Sequence, residues 1–220
     1  PSQTPQSGPS PAFNSFGLMD LLLVLALAAI GVFLLNARQQ RRRIALLGRH
    51  LRPYQIERLM ETLIQGYLRA MGETDAERRT QVLRMLEGNE AQLCEQFERL
   101  AADFRHVPAQ QARVSLLPVG LPFALQLFPG ASFDMREALA IHARGIARSA
   151  RNDAALAPRD KAFTMTAELL LMQHSCHWFC KSRAVASARM LARHQTPHAQ
   201  LLASVSPETR RSYLALTGPV

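Results

Sequence analysis

The sequence predicts an all-α protein: a single N-terminal transmembrane helix followed by a cytoplasmic multi-helix bundle domain. Three observations favour this class. An apolar segment near the start has about the 20 residues that a helix needs to cross a bilayer. Apolar residues then recur at spacings of three and four through most of the chain, which is the period of an α-helix. No stretch shows the alternation of apolar and polar residues that is typical of a half-buried strand.

The predicted transmembrane helix covers residues 16–37 and carries no charge from Leu21 to Leu35. Its two flanks differ, because residues 1–15 are uncharged and four arginines follow the apolar span. These predicted topology determinants are Arg38, Arg41, Arg42 and Arg43. Clustered arginines are retained on the cytoplasmic side. We therefore expect a single pass through the bacterial inner (plasma) membrane, with the N-terminus outside and the C-terminal domain in the cytoplasm. The alternative, a cleaved signal peptide, requires a basic leading region and a small-residue cleavage site, and the charge here has the opposite polarity.

Composition divides the remaining chain. Residues 1–15 are rich in Pro, Ser and Gln, which predicts a disordered N-terminal tail. Residues 38–52 are predicted to continue the membrane helix as a basic juxtamembrane extension until Pro53. Residues 53–220 form the predicted cytoplasmic helical domain.

Within this domain the pattern predicts a series of helices. One runs from Ile56 to about Gly72, and the next starts at the capping-box spacing of Thr74 and Glu77. Gly88-Asn89 in that second helix indicates either a kink or a break. A helix capped by Asp134 follows, and a long helix is predicted over about 159–194, with an apolar middle typical of the centre of a bundle. Two short helices start at Pro197 and Pro207.

Residues 114–133 carry no charge but contain prolines and glycines that argue against a second membrane helix. We expect a buried or partner-covered segment with a short helix over about 121–128. A segment that grazes the membrane remains the alternative.

The net charge of +9 is unevenly distributed. It is +5 over residues 1–52, −3 over 53–112 and +7 over 113–220. The basic second half lacks the interleaved aromatic residues that favour nucleic-acid binding, so we do not expect nucleic acid as a partner. The basic side chains of the helix after Asp134 instead predict a surface for an acidic partner or anionic lipid, the alternative being a solvated face. Its candidates are Arg136, Arg144, Arg148 and Arg151.

One cluster has the residue types of a metal site. Its candidate ligands are His174, Cys176, His177 and Cys180. Positions three and four apart share a helix face, but zinc needs four ligands, usually from more than one element. We therefore favour thiols that pack in a central helix, and expect no cofactor. Glu168, also within the apolar run, is expected to form an ion pair with a neighbouring helix rather than to act as a catalytic acid.

The sequence contains no recognisable catalytic motif beyond these candidate residues. The sequence therefore favours a non-enzymatic role: a membrane-anchored scaffold or interaction subunit that recruits partners to the cytoplasmic face of a larger bacterial envelope assembly. Its expected partners are other membrane or cytoplasmic proteins of that complex, together with the lipid bilayer along residues 16–37. The alternative is a membrane-tethered metal-dependent or redox protein that uses the cluster from His174 to Cys180.

Overall fold

The computed structural model describes residues 13–218, with side chains described from residue 17 onward. Over this range the chain forms ten helices and one two-stranded sheet, which confirms the all-α class. The helices are α1 (Phe13–Leu51), α2 (Ile56–Gly72), α3 (Ala76–Phe104), α4 (Ala109–Ala112), α5 (Ala124–Leu127), α6 (Met135–Arg151), α7 (Pro158–Cys180), α8 (Arg183–His194), α9 (His198–Ser204) and α10 (Pro207–Thr217). The strands are β1 (Arg113–Ser115) and β2 (Ser132–Asp134).

Helix α1 joins the predicted membrane helix and the predicted juxtamembrane extension without a break. It is long and apolar enough to cross a membrane, and its apolar window is not buried against the rest of the chain. The predicted disordered tail lies outside the described residues up to position 12, and residues 13–15 already belong to α1.

The core of the bundle forms around α7, which contacts α1, α2, α6, α8 and α9. Large side chains that are fully buried fill this core, among them Phe97, Phe104, Trp178 and Phe179. Leu47 from the last turns of α1 belongs to the same cluster. The C-terminal end of α1 is therefore part of the bundle, while its first half projects from it.

Three predictions of helix boundaries need correction. The long helix predicted over 159–194 is two helices, because the backbone turns at Lys181 and Ser182 then caps α8 by accepting a hydrogen bond from the N–H of Val185. Gly88-Asn89 neither ends nor divides α3. The N-cap of α3 is Asp75 rather than Thr74, and its carboxylate accepts from the N–H groups of Glu77 and Arg78.

The segment 114–133 also differs from the prediction. Its helix α5 is only four residues long, and its two ends pair as antiparallel strands, with Val114 opposite Phe133. Strands of three residues are too short for alternation to be visible in the sequence. The segment is therefore an antiparallel hairpin with a long tip, residues 116–131, and several apolar side chains of that tip are exposed rather than buried.

Candidate functional site

The predicted metal cluster is divided between two environments. His174 is fully buried, and its Nε2 lies 3.1 Å from Oγ of Ser187. Cys176, His177 and Cys180 instead line a groove on the other side of α7. Among the residues that the structure describes, no three His, Cys, Asp or Glu side chains are close enough to hold a metal ion together. The four candidates therefore do not converge on one point.

Both thiols in this cluster are held in the protonated form. Burial raises the pKa of Cys176 to about 12 and that of Cys180 to about 11. The Cys176 thiol lies 3.8 Å from the thioether sulfur of Met172, a contact typical of packing. A reactive or metal-binding cysteine requires a lowered pKa, so this environment favours the structural interpretation.

A buried polar network joins α6, α7 and α10. Ser175 donates its single hydroxyl proton to the carbonyl of Leu171 at 3.1 Å. Its oxygen also lies 3.0 Å from the Tyr213 hydroxyl and 2.9 Å from Nε2 of His142. His142 and Ser175 are both fully buried. A serine beside a histidine can act as a nucleophile and base, but here the hydroxyl is committed to the backbone and shielded from solvent.

A second part of this core holds two stacked imidazoles. The rings of His174 and His198 lie 4.1 Å apart between centroids, and nearly parallel. Desolvation lowers the pKa of His142 and of His174 to about 3, and that of His198 to about 4. All three are therefore neutral near pH 7. Sequence spacing could not identify this grouping, because the histidines lie on three different helices.

In the part of the chain that the structure describes, Glu168 forms no ion pair, so the expected pairing is wrong. Its Oε1 accepts from the backbone N–H of Ser206 at 3.0 Å and from the Ser206 hydroxyl at 2.8 Å. Burial raises the pKa of the carboxyl, and the hydrogen bonds from Ser206 oppose that shift. Glu168 thus secures the start of α10 instead of facing a cleft.

The four topology arginines have two different environments. Arg38, Arg41 and Arg42 are exposed. Arg43 faces the bundle, donating to the carbonyl of Phe179 at 3.2 Å and to that of Arg113 at 2.9 Å. Its guanidinium also lies over the Phe179 ring, 5.5 Å from the centroid. Burial lowers the pKa of Arg43. Arg43 therefore attaches α1 to the bundle.

The four arginines predicted to share one surface on α6 are also in different settings. Arg136 forms an ion pair with Asp134 at 2.6 Å, and Arg151 forms one with Asp153 at 3.0 Å. Arg148 is half-buried and donates to the hydroxyl of Thr209 at 3.1 Å. Arg144 is exposed. Three of the four arginines predicted to bind a partner therefore make ion pairs or hydrogen bonds within the chain.

A large apolar groove of about 1140 Å³ lies between the end of α1, α2, α7 and the end of α8. We call it the α2–α7 groove. Leu68 is 62% exposed and Phe163 is 59% exposed along its walls. Three methionines also line it, Met60, Met71 and Met172. Methionine-lined surfaces adapt to different apolar partners.

Charged residues occupy opposite sides of this groove. Glu57 and Glu61 lie on α2, whereas Arg159 and Arg193 lie on α7 and α8. The volume exceeds the upper end of the usual range for drug-sized ligands, about 1000 Å³. Length, apolar lining and charged margins together suit a helical peptide segment better than a small molecule.

Comparison with family models, with curated proteins and with solved structures finds no match to this chain. The fold defines the class: over the described residues 13–218, the chain is all-α, with one candidate membrane-spanning helix and a helical bundle attached to that helix.

Proposed function

We propose that this protein is a membrane-anchored interaction subunit without enzymatic activity. Helix α1 spans the bacterial inner membrane with its N-terminus outside, and the bundle recruits partner proteins of an envelope assembly at the cytoplasmic face. The observation that carries this proposal is the α2–α7 groove. Leu68 on α2 and Phe163 on α7 both line this groove and expose large apolar side chains. Contiguous exposed apolar surface on a folded domain is typical of a protein-binding site.

The attachment of α1 supports the same role. The face of α1 that meets the bundle carries residues spaced alternately by four and three, in the order Asn36, Gln40, Arg43, Leu47 and His50. This face fixes the bundle against the helix, so the groove keeps a constant orientation to the membrane. A recruiting subunit benefits from that constraint, since less orientational freedom is lost when the partner binds.

The partner expected for this groove is an amphipathic helix with an apolar stripe and charges of both signs. Its apolar residues, at positions such as i, i+4 and i+7, would contact Leu68, Met71 and Phe163. A basic residue of the partner would lie near Glu57 and Glu61, and an acidic one near Arg159 or Arg193.

Site-specific photo-crosslinking in cells tests the proposal. A photoreactive amino acid replaces Leu68, Phe163 or, as the matched control, Met85, which is 73% exposed on α3 and outside the groove. We expect the same partner to be crosslinked from Leu68 and from Phe163 but not from Met85. Adding Leu68→Glu to the Phe163 probe should abolish that adduct. Equal crosslinking from all three positions, or none from either groove position, would contradict the proposal.

A further inference from the structure

The tip of the β1–β2 hairpin carries exposed apolar side chains without any charge. We call residues 116–131 the hairpin tip. Leu127 is 67% exposed and Phe123 is 54% exposed, and three more large apolar residues of the tip are also exposed, Val119, Leu121 and Phe128. The whole stretch 114–133 contains no Asp, Glu, Lys or Arg. Such a concentration of exposed apolar side chains is typical of a protein or membrane interaction site.

The base of this hairpin is firmly attached to the bundle. Nε1 of Trp178 donates to the carbonyl of Ser115 at 3.0 Å, and the Trp178 ring packs edge-on against Phe133 with centroids 4.9 Å apart. The N–H of Ala184 donates to the carbonyl of Pro118 at 2.9 Å. The tip therefore has a defined position, and its exposed side chains are presented by a supported structure.

That position is level with the end of the apolar span of α1. Asn36, the residue after Leu35, donates from Nδ2 to the carbonyl of Gly120 at 2.8 Å. The exposed apolar surface of α1 thus continues directly into that of the hairpin tip.

The backbone at Phe123 supports outward presentation of its ring. Phe123 has φ of 60°, in the left-handed region that an aromatic residue rarely adopts. Phe123 is the N-cap of α5, in which Ala124 is buried and Leu127 is exposed. The chain therefore holds a strained conformation in which Phe123 and Leu127 both face away from the bundle.

Charge around the tip favours a lipid surface over a protein as the occupant. The exposed arginines Arg38, Arg41 and Arg42 follow the apolar span, and Arg113 is exposed at the base of the hairpin. Guanidinium groups beside an apolar surface match the anionic headgroups and acyl chains of the cytoplasmic leaflet. Irregular backbone is not tolerated within hydrocarbon, so only the side chains of the tip would enter, at the boundary of headgroups and acyl chains.

We propose that the hairpin tip is a second membrane contact, which inserts Phe123, Leu127 and their apolar neighbours into the cytoplasmic leaflet next to α1. This inference rests on the proposal that α1 spans the membrane. Two contacts, one spanning and one interfacial, hold the bundle at a fixed tilt to the bilayer and leave the α2–α7 groove free for a partner.

Lipid-phase photolabelling of the full chain tests this contact. The protein is reconstituted in vesicles of phosphatidylcholine and phosphatidylglycerol that contain a phospholipid with a diazirine on its acyl chain. After illumination and trypsin digestion, mass spectrometry compares three fragments: the one that ends at Arg38, the one from Val114 to Arg136, and the one from Met85 to Arg99. We expect the first two to be labelled severalfold more than the third, which contains the exposed Met85.

The outcomes separate the two proposals. Labelling of the α1 fragment without labelling of 114–136 would overturn the membrane contact of the tip and leave the anchor intact. Absence of label from both fragments would overturn both. In the double variant Phe123→Ser, Leu127→Ser, label in 114–136 should fall severalfold while label in α1 and the thermal unfolding temperature stay unchanged. Undiminished label in that variant would show that these side chains do not make the contact.

Discussion

Glu168 and Ser206 are joined by two hydrogen bonds, from the backbone N–H and the hydroxyl of Ser206 to one carboxylate oxygen, at 3.0 and 2.8 Å. The other oxygen of Glu168 lies against Gly145 on α6, where a Cβ would come within 2.4 Å of it. The same Cβ would also lie 2.4 Å from the Thr209 hydroxyl. Three helices therefore meet at a point that admits only glycine on α6.

Gly145→Ala should consequently destabilise the bundle. The added methyl must displace a buried carboxylate from its hydrogen bonds, which should lower the free energy of unfolding by about 2 to 4 kcal/mol. Gly88→Ala is the matched control. It lies within α3 with nothing within 4 Å of a Cβ, so it should stabilise by about 0.5 to 1 kcal/mol. Chemical unfolding of both variants checks the contrast, and equal effects would contradict it.

Acid should destabilise the protein through His142. Burial lowers its folded pKa to about 3, while the unfolded chain binds a proton near pH 6.5. The contribution of neutral His142 to the free energy of unfolding is thus fully present above about pH 6.5, and it is lost as pH falls from there toward 3. Between about pH 7.5 and 4.5, wild type should lose about 3 kcal/mol more than His142→Phe.

The comparison isolates His142 because the other buried titratable groups are common to both proteins. His174 and His198 have lowered pKa values and act in the same direction, whereas the raised pKa of Glu168 acts in the opposite one. Loss of the hydrogen bond to Ser175 affects the variant at both pH values. Identical pH dependence in the two proteins would mean that His142 is not neutral when folded.

Arg43→Ala should loosen the attachment of α1 to the bundle. The change removes hydrogen bonds to the carbonyls of Phe179 and Arg113, a loss of about 1 to 3 kcal/mol. Hydrogen exchange of the backbone over residues 39–51 should become severalfold faster. Arg42→Ala, which alters an exposed neighbour, should leave exchange unchanged, and similar acceleration by both variants would assign the effect to charge alone.

The proposed topology places a C-terminal reporter in the cytoplasm. A reporter that is active only in the periplasm should therefore stay silent when fused to the C-terminus. Neutralising Arg38, Arg41 and Arg42 should raise its activity, since these exposed arginines resist translocation. Neutralising Arg78, Arg79 and Arg84 on α3 provides a control of equal charge change. A strongly active reporter on the wild-type chain would refute the orientation.

Cys176 should behave as a packing residue. Cys176→Ala should lower the free energy of unfolding by about 1 kcal/mol through lost core volume. A chelator should leave the thermal unfolding of wild type unchanged, because the surrounding residues do not converge on an ion. Metal content per chain, measured together with unfolding, checks this. Near-stoichiometric metal that disappears in the variant would instead favour the metal-dependent alternative.

The local sequence pattern was sufficient to predict a helix or a cap wherever the interactions that form it are between neighbouring residues. The apolar composition of α1 and the three- and four-residue spacing of α2 depend only on nearby residues, and the structure forms both helices. The Asp134 cap of α6 and the Ser206 cap of α10 were likewise predictable, because each side chain bonds to a backbone N–H two or three residues away.

Tertiary contacts decided the features that the sequence did not reveal. The strands β1 and β2 are three residues each, and the whole hairpin tip separates them in the sequence. They are therefore too short for an alternation of apolar and polar residues to predict them. The turn at Lys181 was not predicted, because the helical spacing of apolar residues continues through it. In the structure, Nζ of Lys181 donates to Oε1 of Gln40 on α1 at 2.8 Å.

The candidate surfaces show the same division. By itself the sequence determined a helical protein with one apolar span followed by arginines, since hydrophobicity and helical period act over a few residues. Only the tertiary structure decided which arginine attaches α1 to the bundle, which histidines are buried together in the core, and that Leu68 and Phe163 line the same groove. These outcomes depend on contacts between residues far apart in the chain, and their desolvation and hydrogen bonding exist only once the helices have packed.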